Sequence, residues 1–298
     1  MEYVGEALSW RHTAGGVLEV ELHRAPLNEI GTTTLRELEV LARYVADGAD
    51  GARALLWWSS RPGFCAGADL RELHRGLVDR DDRLKSTARL GPILGPVAGG
   101  VARRIGARLA RREVRAFVDR IHAAFDVFDQ APIVTVAAVH GVAFGGGFEL
   151  ALTADLIVAD RTARFCFPEL RLGIVPGFGG IPRLLRDAPG PVVRDLLLTG
   201  RSLNAVRAHE LGLIAQCVPA GEARAAGRRA AEQAARFGPG PVAAAKALAK
   251  ELPAAALRRE KDAFCALVTR PDVLAALDRF VRDEGVRPYL PTAATGGA

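Results

Sequence analysis

Apolar positions recur along this chain in two rhythms, and the rhythm changes twice. Near the N-terminus, Val17-Leu18-Glu19-Val20-Glu21-Leu22 alternates in part, as a half-buried strand does. Asn28 to Ala46 predicts a helix, with Thr32 to Thr34 near its start and Leu35, Leu38, Leu41 and Val45 on one face. Ala54-Leu55-Leu56-Trp57-Trp58 is a continuous apolar run of buried-strand length. A turn from Gly63 to Ala68 follows, and Asp69 is placed to cap or open a helix. The pairs Gly91-Pro92 and Gly95-Pro96 predict a break in any helix there, and Gly99-Gly100 adds slack. Val101 to Phe128 then predicts a long basic amphipathic helix. Ile133 to Val139 is a β-branched strand running into His140-Gly141, and Phe148 to Thr153 a short helix. Leu156 to Ala159 and Arg164 to Phe167 predict two more strands.

After Arg183 the pattern turns helical, with candidates over Val192 to Leu198, Asn204 to Glu210, Gly221 to Phe237, Pro241 to Leu252 and Phe264 to Arg282. Alternation followed by helices argues for an α/β core over residues 1–203 and a helical region over 204–290. A basic helical insertion occupies residues 75–120 or so, and residues 291–298 are expected to be a disordered tail.

Composition narrows this little. The chain has 298 residues, 49% of them hydrophobic, which supplies a full core and argues against wholesale disorder. No apolar run reaches the roughly 18 residues of a membrane span. The start, Met1 to Glu6, lacks the basic and apolar stretches of a signal peptide, so a cytoplasmic location is expected. Cys65, Cys166, Cys217 and Cys265 fit no metal spacing and are expected to be reduced thiols.

Charge is uneven. Between Arg75 and Arg120, twelve Lys/Arg face five Asp/Glu, a local +7 in a chain of net +6. A solvated basic helix explains this, and so does an anionic partner such as a nucleotide, RNA, a membrane surface or an acidic carrier protein.

Candidate chemistry sits on glycine turns. Gly145-Gly146-Gly147-Phe148-Glu149 follows one strand; Pro168-Glu169-Leu170 leads to Gly177-Phe178-Gly179-Gly180; Gly63 to Leu70 lies upstream. Small residues at strand-to-helix turns let a ligand approach bare backbone N–H groups, and two converging on one oxygen make an oxyanion hole. Two nearby carboxylates cannot both ionise cheaply, so one can act as base while its neighbour stays neutral. This equipment suits chemistry beside a thioester carbonyl, where charge develops on oxygen when C2 loses a proton or C3 is attacked. Taken singly, each glycine cluster, glutamate, cysteine or His140 also fits a structural role.

In combination these segments resemble the enoyl-CoA hydratase/isomerase (crotonase) family. The resemblance rests on Phe64-Cys65-Ala66-Gly67-Ala68-Asp69-Leu70, on Ala138 to Leu150, and on Pro168-Glu169 through Val175 to Gly180 and Pro182-Arg183-Leu184. Leu198-Thr199-Gly200-Arg201 with Ala208, Gly212 and Leu213 adds to it, as does His23-Arg24-Ala25-Pro26-Leu27-Asn28. It implies a spiral of β-β-α units with a C-terminal helical oligomerisation region, in a homotrimer or a dimer of trimers. It implies an oxyanion hole from the N–H groups of Ala68 and Gly146, water activation by Glu149, and transfer of the C2 proton by Glu169. Arg24 and Leu27 would border the CoA moiety, with Ala66, Asp69, His140 and Gly177 also contacting substrate or water. No metal or redox cofactor is implied, since CoA belongs to the substrate. The expected activity is addition of water to, or its removal from, an acyl-CoA or acyl-carrier-protein thioester at C2–C3. Isomerisation, decarboxylation and thioester hydrolysis are alternatives within the family, and an anion- or RNA-binding protein is the alternative outside it. The chain departs from the usual pattern in a long interval between Ala68 and His140, in His140 where Asn is common, and in the apolar Phe167.

Overall fold

The structure is a computed structural model that describes residues 2–78 and 95–282, with the side chains of residues 95–107 outside the description. The expected tail and residues 79–94 of the basic insertion therefore lie outside the described residues.

Strands β1 (Glu2–Val4), β2 (Leu8–His12), β3 (Val17–Leu22), β4 (Ala54–Ser59), β5 (Val134–Val139), β7 (Leu156–Asp160) and β10 (Gln216–Val218) form the main sheet, in the order β1-β2-β3-β4-β5-β7-β10. The first three pair antiparallel, and from β3 onward all pairs are parallel. The parallel strands are covered on both faces, which is why they read as nearly unbroken apolar runs. Glu19 is a buried exception in β3. Arg224 and Arg228 of α8 (Ala223–Ala234) neutralise it, and the small residues Ala226, Gly227 and Ala231 let that helix lie close to β4 and β5.

A second, short sheet holds β6 (Val142–Phe144), β8 (Arg164–Cys166) and β9 (Leu203–Asn204). Single bridges extend it: Cys65 pairs parallel with Ala143, and Ile30 with Ala68. The chain thus repeats one path. It leaves a main-sheet strand, passes through the short layer, and enters a helix. β3 leads through Ile30 to α1 (Thr32–Ala46); β4 leads through residues 64–68 to α2 (70–78); β5 leads through β6 to α4 (Gly146–Ala151). This is the expected spiral of β-β-α units.

Several boundaries differ from expectation for local reasons. α1 begins at Thr32 because Asn28 adopts φ 58°, and its buried side chain donates to Ser59 Oγ at 2.8 Å and Phe64 O at 2.9 Å. The long helix α3 (Gly95–Gln130) runs through Pro96 and Gly99-Gly100, where a break was expected. Pro96 falls in its first turn, where no N–H partner is needed. The final helical stretch is two helices, α10 (Ala254–Leu267) and α11 (Pro271–Arg282), separated at Pro271. The strands β6, β9 and β10 are too short to show a period and were missed.

The basic helix is partly used internally. Arg115 pairs with Asp262 at 2.6 Å and Arg120 with Glu39 at 2.7 Å, which ties α3 to α10 and α1. Phe125 and Phe128 on its inner face are buried in the core. We expect Asn28→Ala to lower the unfolding free energy by about 1–3 kcal/mol, because it orphans the Phe64 carbonyl and releases a left-handed turn. A denaturant midpoint shifted at constant slope would show it.

Candidate active site

Ala68 and Gly146 are set by the spiral itself. In the bridge between Ile30 and Ala68, Ile30 N donates to Gly67 O at 2.7 Å and Asp69 N donates to Ile30 O at 3.1 Å. The amide of Ala68, between them, points the opposite way. Its exposure therefore arises from bridge geometry rather than from a helix start, as the sequence had suggested. Asp69 is the helix cap, accepting the Glu72 amide at 2.9 Å. Gly146 is the first residue of α4, so its N–H has no intrahelical partner. Each of these amides follows a glycine in the left-handed half of φ space, Gly67 at 104° and Gly145 at 48°. A Cβ on Gly67 would lie 3.2 Å from Gly146 N, which places the two amides side by side.

Glu149 and Glu169 line one cavity with those residues. The cavity measures about 50 Å³ and is walled by Ala66, Leu172, Gly177, Phe178 and Phe264 among others. That is room for at least one water. Glu149 is 2% exposed, and its Oε1 accepts the amides of Phe178 at 2.7 Å and Gly180 at 2.8 Å. Burial pushes its carboxyl up to about 7, opposed by those amides and by the Arg183 charge. Glu169 begins a 3-10 turn, Glu169–Leu172, with Oε1 held against Gly145 and Oε2 shielded from solvent without a hydrogen-bond partner. Burial, and after it the Glu149 charge, raises its carboxyl well above the ordinary value. The environments of the two acids differ: two amides favour the ionised form of Glu149, whereas Glu169 has no hydrogen bond on Oε2 and lies beside the Glu149 charge.

The 177–181 loop carries this arrangement. Its carbonyls are held from outside the cavity. His122 Nε2 donates to Gly177 O at 2.8 Å, and the Arg183 guanidinium donates to Phe178 O at 3.0 Å and Gly179 O at 3.3 Å. Burial pushes His122 down to about 4, so it is a neutral donor at physiological pH. Arg183 is fully buried and paired with Asp126 at 2.7 Å. His122 and Arg183 drew no functional reading from sequence, because their partner is backbone more than fifty residues away in the case of His122.

Other expected substrate contacts are placed less directly. Arg24 donates to Asp69 Oδ2 at 2.7 Å and to Glu29 O at 2.5 Å, and Leu27 O accepts the Ala66 amide at 2.9 Å. These residues brace the segment leading to Ala68. Asp69 lines a neighbouring cavity of about 230 Å³. His140 lies outside the lining of both cavities; its Nε2 is 2.7 Å from Arg61 O at the end of β5. Cys65 and Cys166 are buried, and burial pushes both thiols up to about 12, so neither is a ready nucleophile.

The neighbouring cavity shares Ala68, Leu73, Phe178 and Phe264 with the first and continues along Leu77, Val114, Phe117 and Val118. Its wall is mostly apolar, and α3 supplies one side.

Known proteins place this fold. The profile of a family described as enoyl-CoA hydratase/isomerase matches residues 100–281. The carnitinyl-CoA dehydratase of Proteus mirabilis is 35% identical over 236 residues, covering 78% of this chain and 77% of that protein. A protein of Arabidopsis thaliana named probable enoyl-CoA hydratase 2, mitochondrial, is 33% identical over 226 residues, 75% of this chain and 64% of that one. The crystal structure of an enoyl-CoA hydratase from Bacillus anthracis superposes with a TM-score of 0.65 at 27% identity, covering 92% of this chain and 95% of that one. The chain belongs to the enoyl-CoA hydratase/isomerase family, has its crotonase fold, and is an enzyme of the hydratase/dehydratase type. Among the described residues no helix is long and apolar enough to cross a membrane.

A buried carboxyl with a raised folded-state pKa favours the protonated native state, so its contribution to stability is present below the ordinary value and lost as pH rises. We expect Glu169→Gln, which cannot ionise, to gain on the wild type as pH rises from 5 to 9. The difference in Tm should widen by a few degrees, at about 2–4 °C per kcal/mol for a chain of this size. Thermal unfolding at four pH values measures it.

Proposed function

We propose that the chain adds water reversibly across the C2–C3 double bond of an α,β-unsaturated acyl-thioester, using Glu149 and Glu169 as an unequal acid pair. The observation that carries this reading is their shared cavity beside the amides of Ala68 and Gly146. In the hydration direction the thioester oxygen accepts both amides. Ionised Glu149 takes a proton from water, and the resulting hydroxide bonds to C3. The C2–C3 π electrons shift to give an enolate on the thioester oxygen. Neutral Glu169 then protonates C2, and the carbonyl re-forms. Dehydration reverses each step. The amides of Phe178 and Gly180 keep Glu149 oriented towards the water.

The 230 Å³ cavity beside the pair is the proposed acyl site. Its aliphatic and aromatic wall suits an apolar acyl chain, with Glu72 and Asp69 near Thr32 and Gly31 on its polar side. The thioester carrier is coenzyme A or an acyl carrier protein, and parallel assays of the two forms separate these.

A panel of 2-enoyl and 3-hydroxyacyl thioesters, followed by mass spectrometry, tests the reaction: products differ from substrates by gain or loss of one water. Glu149→Gln and Glu169→Gln should each lower kcat by about 10²–10⁴-fold. Full activity in either variant would point to isomerisation or hydrolysis instead. Gly67→Ala puts a Cβ 2.8 Å from Phe144 O at a strained φ, and displacement of the Ala68 amide should cost about 10²-fold in kcat.

A further inference from the structure

The 177–181 loop binds two carboxylates, not one. Its amides alternate: Phe178 and Gly180 face Glu149, whereas Gly179 and Ile181 face Glu260 of α10. Gly179 N donates to Glu260 Oε1 at 2.6 Å and Ile181 N donates to Oε2 at 2.7 Å. Glu260 is 6% exposed and about eighty residues distant in sequence. No ammonium or guanidinium bonds to it directly among the described residues. A buried carboxylate without an ion-pair partner is costly, and the two amide hydrogen bonds are what offsets that cost for Glu260.

We infer that Glu260 is a positioning residue for Glu149, holding the loop from behind so that the amides of Phe178 and Gly180 stay aimed at the base. The inference rests on the proposed role of Glu149 in moving the water proton. Geometry supplies the mechanism. Gly179, at φ 93°, turns the chain into α5, and across this start the amides alternate between the two acids, so fixing Gly179 and Ile181 fixes the direction of Phe178 and Gly180. Rotation of one peptide plane would take an amide from one glutamate and present it to the other. Glu260 is thus coupled to Glu149 in two opposing ways. Its grip on the loop favours ionised Glu149, and its own negative charge disfavours it. The other groups facing this pair are Glu169 from its 3-10 turn, Arg183 from α5 (Gly180–Asp187), and Asp126 and His122 from α3. Burial and then the Glu149 charge raise Glu260, and because the repulsion is mutual the two carboxyls titrate as a coupled pair rather than one after the other.

α10 also carries Phe264, one turn along, into both cavities. A Cβ on Gly177 would fall 2.6 Å from its ring. The same helix thus sets the loop through Glu260 and closes the cavity through Phe264.

The two couplings predict opposite signatures for two conservative variants. Glu260→Gln removes the charge but keeps a carbonyl acceptor, so the acid limb of kcat/KM moves to lower pH. Glu260→Asp keeps the charge but is one methylene too short to reach both amides. The loop slackens, and the acid limb moves to higher pH. Shifts of about half a pH unit or more are expected. In both, kcat falls by about 10- to 100-fold, with KM for the thioester within about threefold of the wild type. A purely structural role would lower the amount of folded enzyme and leave the limb in place. Limbs that do not move, or that move the same way in both folded variants, overturn the proposal. Wild-type enzyme gives an independent reading if either variant fails to fold. The ¹⁵N-amide resonances of Gly179 and Ile181 should titrate over the same pH range as those of Phe178 and Gly180, and silence of the first pair overturns the coupling. Glu149→Gln is assayed alongside. If it stays active, the role of Glu149 fails; if it is inactive while the limbs stand still, only the role of Glu260 fails.

Discussion

The amides of Phe178 and Gly180 converging on one oxygen of Glu149 are the interaction on which the site depends. Without them a carboxylate at 2% exposure would take up a proton and cease to be a base. With them the rise of its pKa is held to about 7, and burial together with its charge raises Glu169. In the proposed reaction, one set of backbone hydrogen bonds thus separates two chemically identical side chains into base and acid. Everything around the loop serves its geometry: His122 and Arg183 take its carbonyls, and Glu260 takes the remaining amides.

The spiral explains how residues so far apart in sequence meet. Each turn of the spiral delivers one piece of the site at the same level, where the chain leaves the short layer for a helix. Ala68 arrives from the turn after β4, Gly146 and Glu149 from the turn after β6, and Glu169 from the turn after β8. The helices that follow then seal the cavity. α3 contributes its wall and braces the loop through His122 and Asp126, so the C-terminal part of this helix, from Glu113 onward, is built into the site.

What the sequence made legible was local. Glycine-rich turns, the Asp69 cap and the strands of the parallel sheet announce themselves within a few residues, because backbone freedom and apolar runs leave a short-range mark. Glu149 and Glu169 could be picked out because each adjoins such a turn. The start of α1 was misplaced because Asn28 mimics a helix residue in pattern but sits in a left-handed turn fixed by Ser59 and Phe64. The short strands β6, β9 and β10 owe their existence to neighbours rather than to their own periodicity. His140 stood beside the glycine cluster in sequence, yet the end of β5 turns it towards Arg61. Glu260 and His122 act through backbone atoms of a segment far away in sequence, and no spacing rule encodes such a partner; Arg183 bonds carbonyls only four and five residues before it, but a side-chain bond to a turn leaves no periodic mark.

The most direct test of the unequal pair is a neutron crystal structure of deuterated enzyme near pD 8. The account predicts a deuteron on the Glu169 carboxyl and none on Glu149, with the Phe178 and Gly180 deuterons directed at Glu149 Oε1. A deuteron on Glu149 with Glu169 bare, or two bare carboxylates, would contradict it.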